Sequence, residues 1–462
     1  MRFAPNPNGP LTLGHARGVV VNSELVRKYG GTFILRFDDT DPRIKRPLLE
    51  AYDWIAEDCA WLEARPDKIY IASERIPTYY EYAEKLVELG KAYVCECERE
   101  EFKKLKDAKT SCKCYGSGNS LDKWRRMLSG GFEEGEAVLR IRTDITHPDP
   151  ALRDWVAFRI IKEDHPRVGD KYVVWPMLDF ESAIEDHLLE VTHIIRGKDL
   201  ADSEKRQTYV YDYFGWKYPS VLHWGRISLL EYGKFSTSEI SKGIKEGKFS
   251  GWDDPKLPTV RAFKRRGIKP QAIRNLMAGL GLSLNDITVS LENLYAENRK
   301  IVDGLANRFF YVEDPVRLVI KNPPCKTFRM PLHPVHRERG VREHPLRVED
   351  KKTEVLISRA DARALSVGSL VRLIGLCVVA IEEASDDTLV GSNSEQKTSD
   401  KIQWVQDGAS CTLVTPEGAS RGLCERGCLS LSAGDIIQFE RVGFARLDEK
   451  RGDMLVFYLA HR

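Results

Sequence analysis

The sequence predicts a multidomain α/β protein: a doubly wound sheet interrupted by an insertion, followed by a helical subdomain and an all-β C-terminal region. Three observations carry that prediction. Residues 2–37 run strand, proline-rich turn, helix, strand. Strand–helix alternation stops near residue 95 and resumes near 179. From about residue 311 apolar residues recur with a period of two. At 462 residues, 42% of them hydrophobic, the chain is long enough for more than one core.

The stretch RFA (2–4) ends a short strand. Pro5, Pro7 and Pro10, with Asn6, Asn8 and Gly9, force a turning, non-helical backbone. A helical period occupies residues 16–28, and Gly30-Gly31 stops it. TFILRFDDTDP (32–42) is a β-branched and aromatic strand ending in acidic residues. This unit fits a right-handed crossover between parallel strands. Its turn therefore sits at the carboxyl end of the first strand, where open α/β sheets bind ligands, and the helix start offers free amides to an anion. Gly14-His15 falls there, and His15 can donate to a phosphate as negative charge grows on it. A single histidine at a helix start is more often satisfied locally, so its meaning depends on the rest of the chain.

Residues 47–63 place Leu48, Leu49, Tyr52, Ile55, Cys59 and Leu62 on one helical face, and Pro77 and Gly90 punctuate a second helix. Residues 95–178 are mixed: short strands (AVLRIR, DWVAFRII), polar loops and a cysteine set. Alternation then returns with HIIRG (193–197) as strand, 199–214 as helix and VLHWGRISLL (221–230) as strand. Residues 1–94 and 179–240 are therefore assigned to one Rossmann-type nucleotide-binding domain, with 95–178 as its insertion. Residues 241–310 read as mostly helical. Residues 311–462 read as β-barrels, with strands in VLISRADARAL, SLVRLIGLCVVAI, DIIQFERVGFARL and MLVFYLA; SNSEQKTSDK (392–401) reads as a solvated loop.

A net charge of only +2 excludes a globally basic nucleic-acid binder, so any basic surface is local. No stretch approaches a membrane span and the N-terminus lacks a signal pattern, so a cytoplasmic chain without a membrane partner is expected. The very short lead into the first strand suggests lost upstream sequence. Ten cysteines in such a chain are thiols or metal ligands rather than a disulfide framework. Cys95, Cys97, Cys112 and Cys114 form C-x-C, fourteen residues, C-x-C, two close pairs that suit tetrahedral Zn²⁺, although four free thiols is the plainer alternative. Cys424 and Cys428 are a looser pair.

GKFSTSEISKGI (233–244) follows a strand expected beside the first one. Lys234, Ser236, Thr237, Ser238 and Lys242 put cations and hydroxyls on a flexible loop that can clamp a triphosphate; alone it would pass for an ordinary polar loop. Together with the Gly-His turn it resembles the class I aminoacyl-tRNA synthetases, with TLGH (12–15) similar to their HIGH motif and KFSTS (234–238) to KMSKS. The neighbouring text narrows this. RFAPNPNGPLTLGHARG, RFDDTDP, HLLEVTHIIRGKDL, GWDDPKLPTVRAFKRRGI and NRKIVDGLANRFFYVEDPVRL resemble, in order and through nearly the whole chain, the glutamyl-tRNA synthetases of archaeal type, sisters of the glutaminyl enzymes.

The resemblance implies ATP with Mg²⁺, L-glutamate and tRNA(Glu) as substrates, and tRNA(Gln) as a second candidate, with no DNA partner. It implies activation of glutamate as the adenylate, then transfer to the terminal ribose, with activation dependent on tRNA. Such chemistry is positioning plus charge stabilisation. By resemblance, His15 and Gly14 with Lys234 and Ser236 are catalytic, and Ala4, Asn6 and Arg226 join them around ATP. Glutamate, with two carboxylates and one ammonium, wants two cationic forks and an anion, and Arg2, Arg196 and Asp38 line that pocket by resemblance. The insertion resembles an acceptor-end-binding domain, in which zinc would be structural. The β-barrels resemble an anticodon-binding region, and the helical segment a part that meets the tRNA stem. The run RAFKRRGIK (261–269) supplies Arg261, Lys264, Arg265 and Arg266 as RNA contacts; Arg329, Arg359 and Arg363 are barrel candidates.

Three departures stand out. Thr12 replaces the first histidine of HIGH. Thr237 replaces the second lysine of KMSKS, leaving Lys234, Lys242 or Arg226 to compensate. Leu178 stands where relatives show a tyrosine in P-x-Y-D-F. They give the alternative of a non-catalytic tRNA-binding paralogue its foothold. A glutaminyl-tRNA synthetase is the other alternative, disfavoured by Arg196 and by RFAPNPNG.

Overall fold

The computed structural model describes residues 1–232, 236–325 and 327–462. It contains two compact units, Met1–Glu246 with Leu276–Ser290, and Gly247–Asn275 with Leu291–Arg462.

In the first unit β1 (Arg2–Phe3), β2 (Ile34–Phe37) and β3 (Lys68–Ile71) form a parallel sheet in that order. The crossover from β1 to β2 is α1 (Leu13–Tyr29), which begins three residues earlier than its periodicity indicates. The reason is Thr12. Its hydroxyl accepts the His15 amide as an N-cap, and a threonine there is among the best helix starters. Gly30, at φ +72°, ends α1 by donating its N–H to the Val26 carbonyl. α2 (Leu49–Trp61) buries Tyr52, Ile55 and Cys59 as its period predicts, whereas Leu49 is exposed. The exception on that buried face is Asp58, which accepts the Leu11 amide at 3.0 Å and fixes the turn before α1. α3 (Ile76–Glu88) carries Pro77 in its first turn.

An antiparallel sheet follows, built of β4 (Ala92–Cys95), β5 (Val138–Ile141), β6 (Val156–Ile160) and β7 (Val174–Pro176). Between β4 and β5 lie two helices that the sequence reading missed, α4 (Arg99–Asp107) and α5 (Ser120–Leu128). α4 buries only Phe102, so it shows almost no apolar stripe. The βα alternation then resumes with α6 (Leu178–Leu188), β8 (His193–Gly197), α7 (Ala201–Phe214) and β9 (Ser220–Trp224), β8 and β9 being parallel. The expected strand 221–230 is broken at Gly225-Arg226, and β10 (Ile227–Leu229) pairs instead with β11 (Ile287–Val289), a strand inside the segment expected to be helical. Gly225 is required there, because a Cβ would lie 2.0 Å from the Asn285 carbonyl oxygen. α8 (Thr237–Lys245) replaces most of the predicted flexible loop.

The second unit holds the helices Val260–Arg266 and Leu291–Val302 and two seven-stranded sheets. The chain enters one sheet at Asn307–Phe309 and Tyr311–Glu313 and leaves to build the other from Pro315–Lys321 through Lys401–Ile402. It returns for Gly408–Thr415, Gly418–Glu425, Ile436–Phe439, Gly443–Arg451 and Met454–His461. Period-two burial is plain in Pro315–Lys321, where Val316, Leu318 and Ile320 face the core. Two predictions need correction. VLISRADARAL is a strand only to Ser358, whose side chain caps the helix Arg359–Arg363. Residues 392–394 are not loop but the end of Thr388–Ser394, paired with Val378–Ala380.

Candidate active site

Every feature of the site in the first unit follows from what ends β1, β2 and β8 at their carboxyl edge. A cavity of about 410 Å³ opens there, lined among others by Arg2, Ala4, Gly14, His15, Asp38 and Arg196. The structure thus brings the N-terminal turn, the RFDD segment and HIIRG around one space.

One wall is α1's first turn. The His15 ring accepts the Thr12 amide through Nδ1 at 3.3 Å, the reciprocal half of a capping box. An amide can only donate, so Nε2 carries the proton and serves as the donor. Desolvation holds the imidazole below its ordinary value. Thr12 therefore does local work that a histidine would do less well. Behind it Arg17 donates to the carbonyls of Gly225 at 3.1 Å and Gly281 at 2.7 Å and lies over the Trp224 ring, tying α1 to the β9–β10 turn. Asn6 donates to the Asp38 carbonyl at 2.9 Å, locking the proline-rich turn against the end of β2.

The floor is a buried charge network. Arg36, fully buried, grips Asp38 through Nε at 2.6 Å and Nη2 at 3.1 Å and reaches Asp186 at 2.7 Å. Arg2 takes the same Asp186 through Nε at 3.1 Å and Nη2 at 3.3 Å. Burial raises Asp186, but the Arg2 and Arg36 guanidiniums outweigh it and hold the carboxyl below its usual value. Glu181 is also buried. Burial first, and Asp38 beside it, push its carboxyl well above the usual range, while Arg36 Nε lies 4.0 Å from its Oε1. Arg196 is different. Its Nη atoms both donate to the Gln207 amide oxygen at 3.1 Å, its Nε is buried without a partner, and no carboxylate oxygen among the described residues lies within 4.0 Å. Burial, with Arg2 nearby, lowers its pKa. Of these three guanidiniums, Arg2 and Arg36 are met by carboxylate oxygens at 2.6–3.1 Å, and Arg196 is the one that no carboxylate among the described residues meets.

Sequence reasoning named Arg2, Asp38 and Arg196 but not Arg36, Asp186 or Glu181. Arg36 and Asp186 look like ordinary strand and helix residues; the signal was their burial in apolar runs, where an ion must be paired. Arg226 lines a smaller cavity of about 130 Å³ with Gly14 and Arg17, and its guanidinium lies 3.5 Å from Asp199. Ser236 is the N-cap of α8, exchanging hydrogen bonds with Glu239 at 2.9 and 3.2 Å, so its hydroxyl is engaged in starting a helix. Lys234 lies outside the described residues.

A second cavity of about 400 Å³ is lined by Lys106, Arg140, Trp155, Asp179 and Arg206, and it shares Leu178 and Ser203 with the first. Burial together with Arg140 and Arg206 lowers the Lys106 ammonium below its ordinary value. These cations were not anticipated, because they come one at a time from α4, β5 and α7. In the insertion the four sulfurs of Cys95, Cys97, Cys112 and Cys114 are buried and lie within 4.8 Å of one another. The Cys95–Cys112 and Cys97–Cys114 separations are 3.9 and 3.8 Å. Four thiolates about 2.3 Å from a tetrahedral zinc lie about 3.8 Å apart, so the donor set fits the ion.

In the second unit the basic run needs correction. Arg266 is buried and donates to the Leu459 and Ala460 carbonyls and to Tyr295, so it is a structural brace rather than an RNA contact. Arg265 is paired with Asp253 and Asp448 and stacked on Tyr458. Lys264 is exposed and Arg261 half-buried. Arg329 pairs with Glu343, Arg359 with Asp314, and Arg363 is exposed.

Comparison with known proteins gives the family. Residues 1–303 match the catalytic domain of the class I tRNA synthetases (E and Q), and residues 306–398 and 395–448 match two anticodon-binding domains of the same enzymes. The chain belongs to this family of class I tRNA synthetases. Within it, the chain is 52% identical to the glutamate–tRNA ligase of Methanosarcina mazei over all of its own length and 82% of that protein. It is 50% identical to that of Archaeoglobus fulgidus (99% and 82%) and 47% to that of Pyrococcus abyssi (100% and 82%). The fold is shared with a crystal structure of a glutamate tRNA ligase from Elizabethkingia meningosepticum in complex with its amino acid. The TM-score is 0.50 at 21% identity, covering 66% of this chain and 70% of that one. No helix of the described residues is long and apolar enough to cross a membrane.

Proposed function

We propose that this chain is a glutamate–tRNA ligase, joining L-glutamate to tRNA(Glu) at the expense of ATP. The observation that carries the choice of amino acid is the buried, unmatched guanidinium of Arg196 in the cavity that also holds Asp38 and His15. Glutamate brings one more negative charge than glutamine, and it closes the imbalance. In this reading Arg196 receives the side-chain carboxylate, Asp38 receives the ammonium, and Arg2, with Nη1 uncommitted, helps hold the α-carboxylate. ATP, accompanied by Mg²⁺, lies along the start of α1 over Ala4, Asn6 and Gly14. There His15 Nε2–H and the helix-start amides stabilise charge growing on the α-phosphate. Lys234, Ser236 and Arg226 complete the phosphate end. The basic cavity beside Leu178 suits the acceptor end of tRNA, whose phosphates would meet Lys106, Arg140 and Arg206. Cys95, Cys97, Cys112 and Cys114 would hold one zinc, which supplies a cross-link across a helical excursion with little apolar surface of its own. Lys264 and Arg363, both exposed, and Arg261, half-buried, are the candidate RNA contacts. tRNA(Gln) is a second candidate acceptor.

The test is charging of total tRNA with labelled glutamate and, separately, glutamine. Glutamate incorporation dependent on ATP is expected, with ATP–pyrophosphate exchange appearing only when tRNA is added. Glutamine charging at equal or greater efficiency would overturn the assignment, and fractionating the charged tRNA decides between one acceptor and two.

A further inference from the structure

We infer that Gln207 sets the discrimination between a carboxylate and an amide, as a positioning residue that holds Arg196 in place without neutralising it. This rests on the glutamate reading above and extends it to a residue on α7 that the sequence did not single out. The geometry is specific. The Gln207 Oε1 atom accepts from both Arg196 Nη atoms at 3.1 Å and from the Tyr218 hydroxyl at 2.6 Å. Guanidinium nitrogens cannot accept, so the amide oxygen must face them and the orientation of this side chain is settled. Gln207 is itself buried, at 2% exposure, and lines the cavity.

The alternatives at such a position show what the glutamine does. A buried arginine is ordinarily met by a carboxylate, as Arg2 and Arg36 are met by Asp186 and Asp38 a short distance away. Gln207 has nearly the shape of a glutamate and accepts from both Nη atoms through its one amide oxygen, yet brings no charge. Other acids face Arg196 only at longer range: Asp186, already shared by two arginines, and Glu204, which is 3.1 Å from His223. Tyr218 adds a donor to the same oxygen and itself lies 3.5 Å from Arg196 Nη2, so the three side chains form one contact set. Arg196 is thereby aimed and rigid, but its charge is left for the ligand.

The test compares steady-state charging of glutamate and glutamine by the full chain and by Gln207→Glu and Gln207→Met. Gln207→Glu is expected to raise KM for glutamate by at least tenfold with kcat within threefold. It should lower the glutamate-over-glutamine ratio of kcat/KM by the same tenfold or more, and the KM penalty should shrink as pH falls and the introduced carboxyl protonates. Gln207→Met keeps the volume, removes the acceptor and should raise KM for glutamate without improving glutamine. A Gln207→Glu chain that keeps the ratio within threefold overturns the proposal. If that variant does not fold, an unchanged glutamate KM in Gln207→Met overturns it instead. Failure of the parent chain to charge glutamate is a separate outcome and overturns the functional reading itself.

Discussion

Arg196 and Arg2 both line the cavity, yet the structure gives them opposite effects on stability. Arg196 is 5% exposed and makes hydrogen bonds only to neutral groups, so replacing it with methionine removes a buried charge without orphaning a partner of opposite sign. The lost hydrogen bonds are worth about 1–3 kcal/mol each. The desolvation they offset is several kcal/mol for one ion. Arg196→Met is therefore expected to leave the stability of the ligand-free chain within about 1 kcal/mol of the parent, or to increase it, as removal of strained functional groups does. Arg2→Met leaves Asp186, 1% exposed, with Arg36 as its one guanidinium, and truncating one partner of a buried pair costs about 3–5 kcal/mol. In catalysis the order reverses. Loss of the buried guanidinium–carboxylate contact to the substrate side chain, at about 3–5 kcal/mol, lowers kcat/KM for glutamate by roughly two to three and a half decades for Arg196→Met. Denaturant unfolding without substrates gives the first quantity, and charging with labelled glutamate gives the second. An Arg196→Met chain destabilised as much as Arg2→Met, or one that keeps kcat/KM within tenfold of the parent, refutes the claim that Arg196 is an unmatched charge waiting for a carboxylate.

Four other outcomes follow from the same geometry. Thr12→Ala removes the α1 N-cap and is expected to cost about 1 kcal/mol in unfolding free energy and to slow adenylate formation, because the His15 ring loses its hydroxyl neighbour. Metal analysis of chain purified without chelator should find one zinc per chain, and Cys97→Ser with Cys114→Ser should lose it; a metal-free parent would refute the four-thiolate site. Because Asp186 is held below its unfolded carboxyl value, its contribution to stability is fully present above about pH 4. It is lost as pH falls through the lower folded value, so Asp186→Asn should be less stable at pH 7 and show a flatter acid limb in unfolding against pH. Lys264→Ala should weaken tRNA binding and reduce its salt slope by about one, whereas Arg266→Ala should destabilise the chain through its lost bonds to Leu459, Ala460 and Tyr295, as paired filter-binding and unfolding measurements can show.

The fold was legible wherever one element carried its own signal. Thr12, the prolines before it and Gly30 mark α1, and Val316, Leu318 and Ile320 mark a strand by alternation. It was illegible where burial was shallow or pairing distant. α4 buries one residue, and the three residues of β11 become a strand only by pairing with Ile227–Leu229 sixty positions away. The site divides in the same manner. Arg2, Asp38 and Arg196 could be named because the text around each, RFAPNPNG, RFDDTDP and HIIRG, resembles the family. Asp186 and Gln207 could not, since each sits on a helix among residues of similar polarity and gains its meaning from an arginine on another element. The run RAFKRRGIK misled for the converse reason. Clustered cations suggest RNA, but Arg265 and Arg266 point back into their own unit, where Asp448 and two strand carbonyls await them.

Leu178 shows how these pieces depend on one another. It opens α6 and lines both the cavity proposed for the amino acid and the basic one beside it. A leucine there offers no hydroxyl to a substrate amide or carboxylate. Recognition by a pattern of donors and acceptors is correspondingly weaker, and recognition by charge has to carry more. The network supplies that. Arg2 and Arg36 are held by Asp186 and Asp38, and Arg196 alone of the three is held by an amide. Glutamine entering this cavity would leave a buried guanidinium without a counter-charge, an outcome costly in a low-dielectric site whatever the hydrogen bonds around it. In the proposed reading, selectivity for glutamate over its amide needs no clash against glutamine. It follows from where the protein has placed its carboxylates and from the one arginine it has left without one.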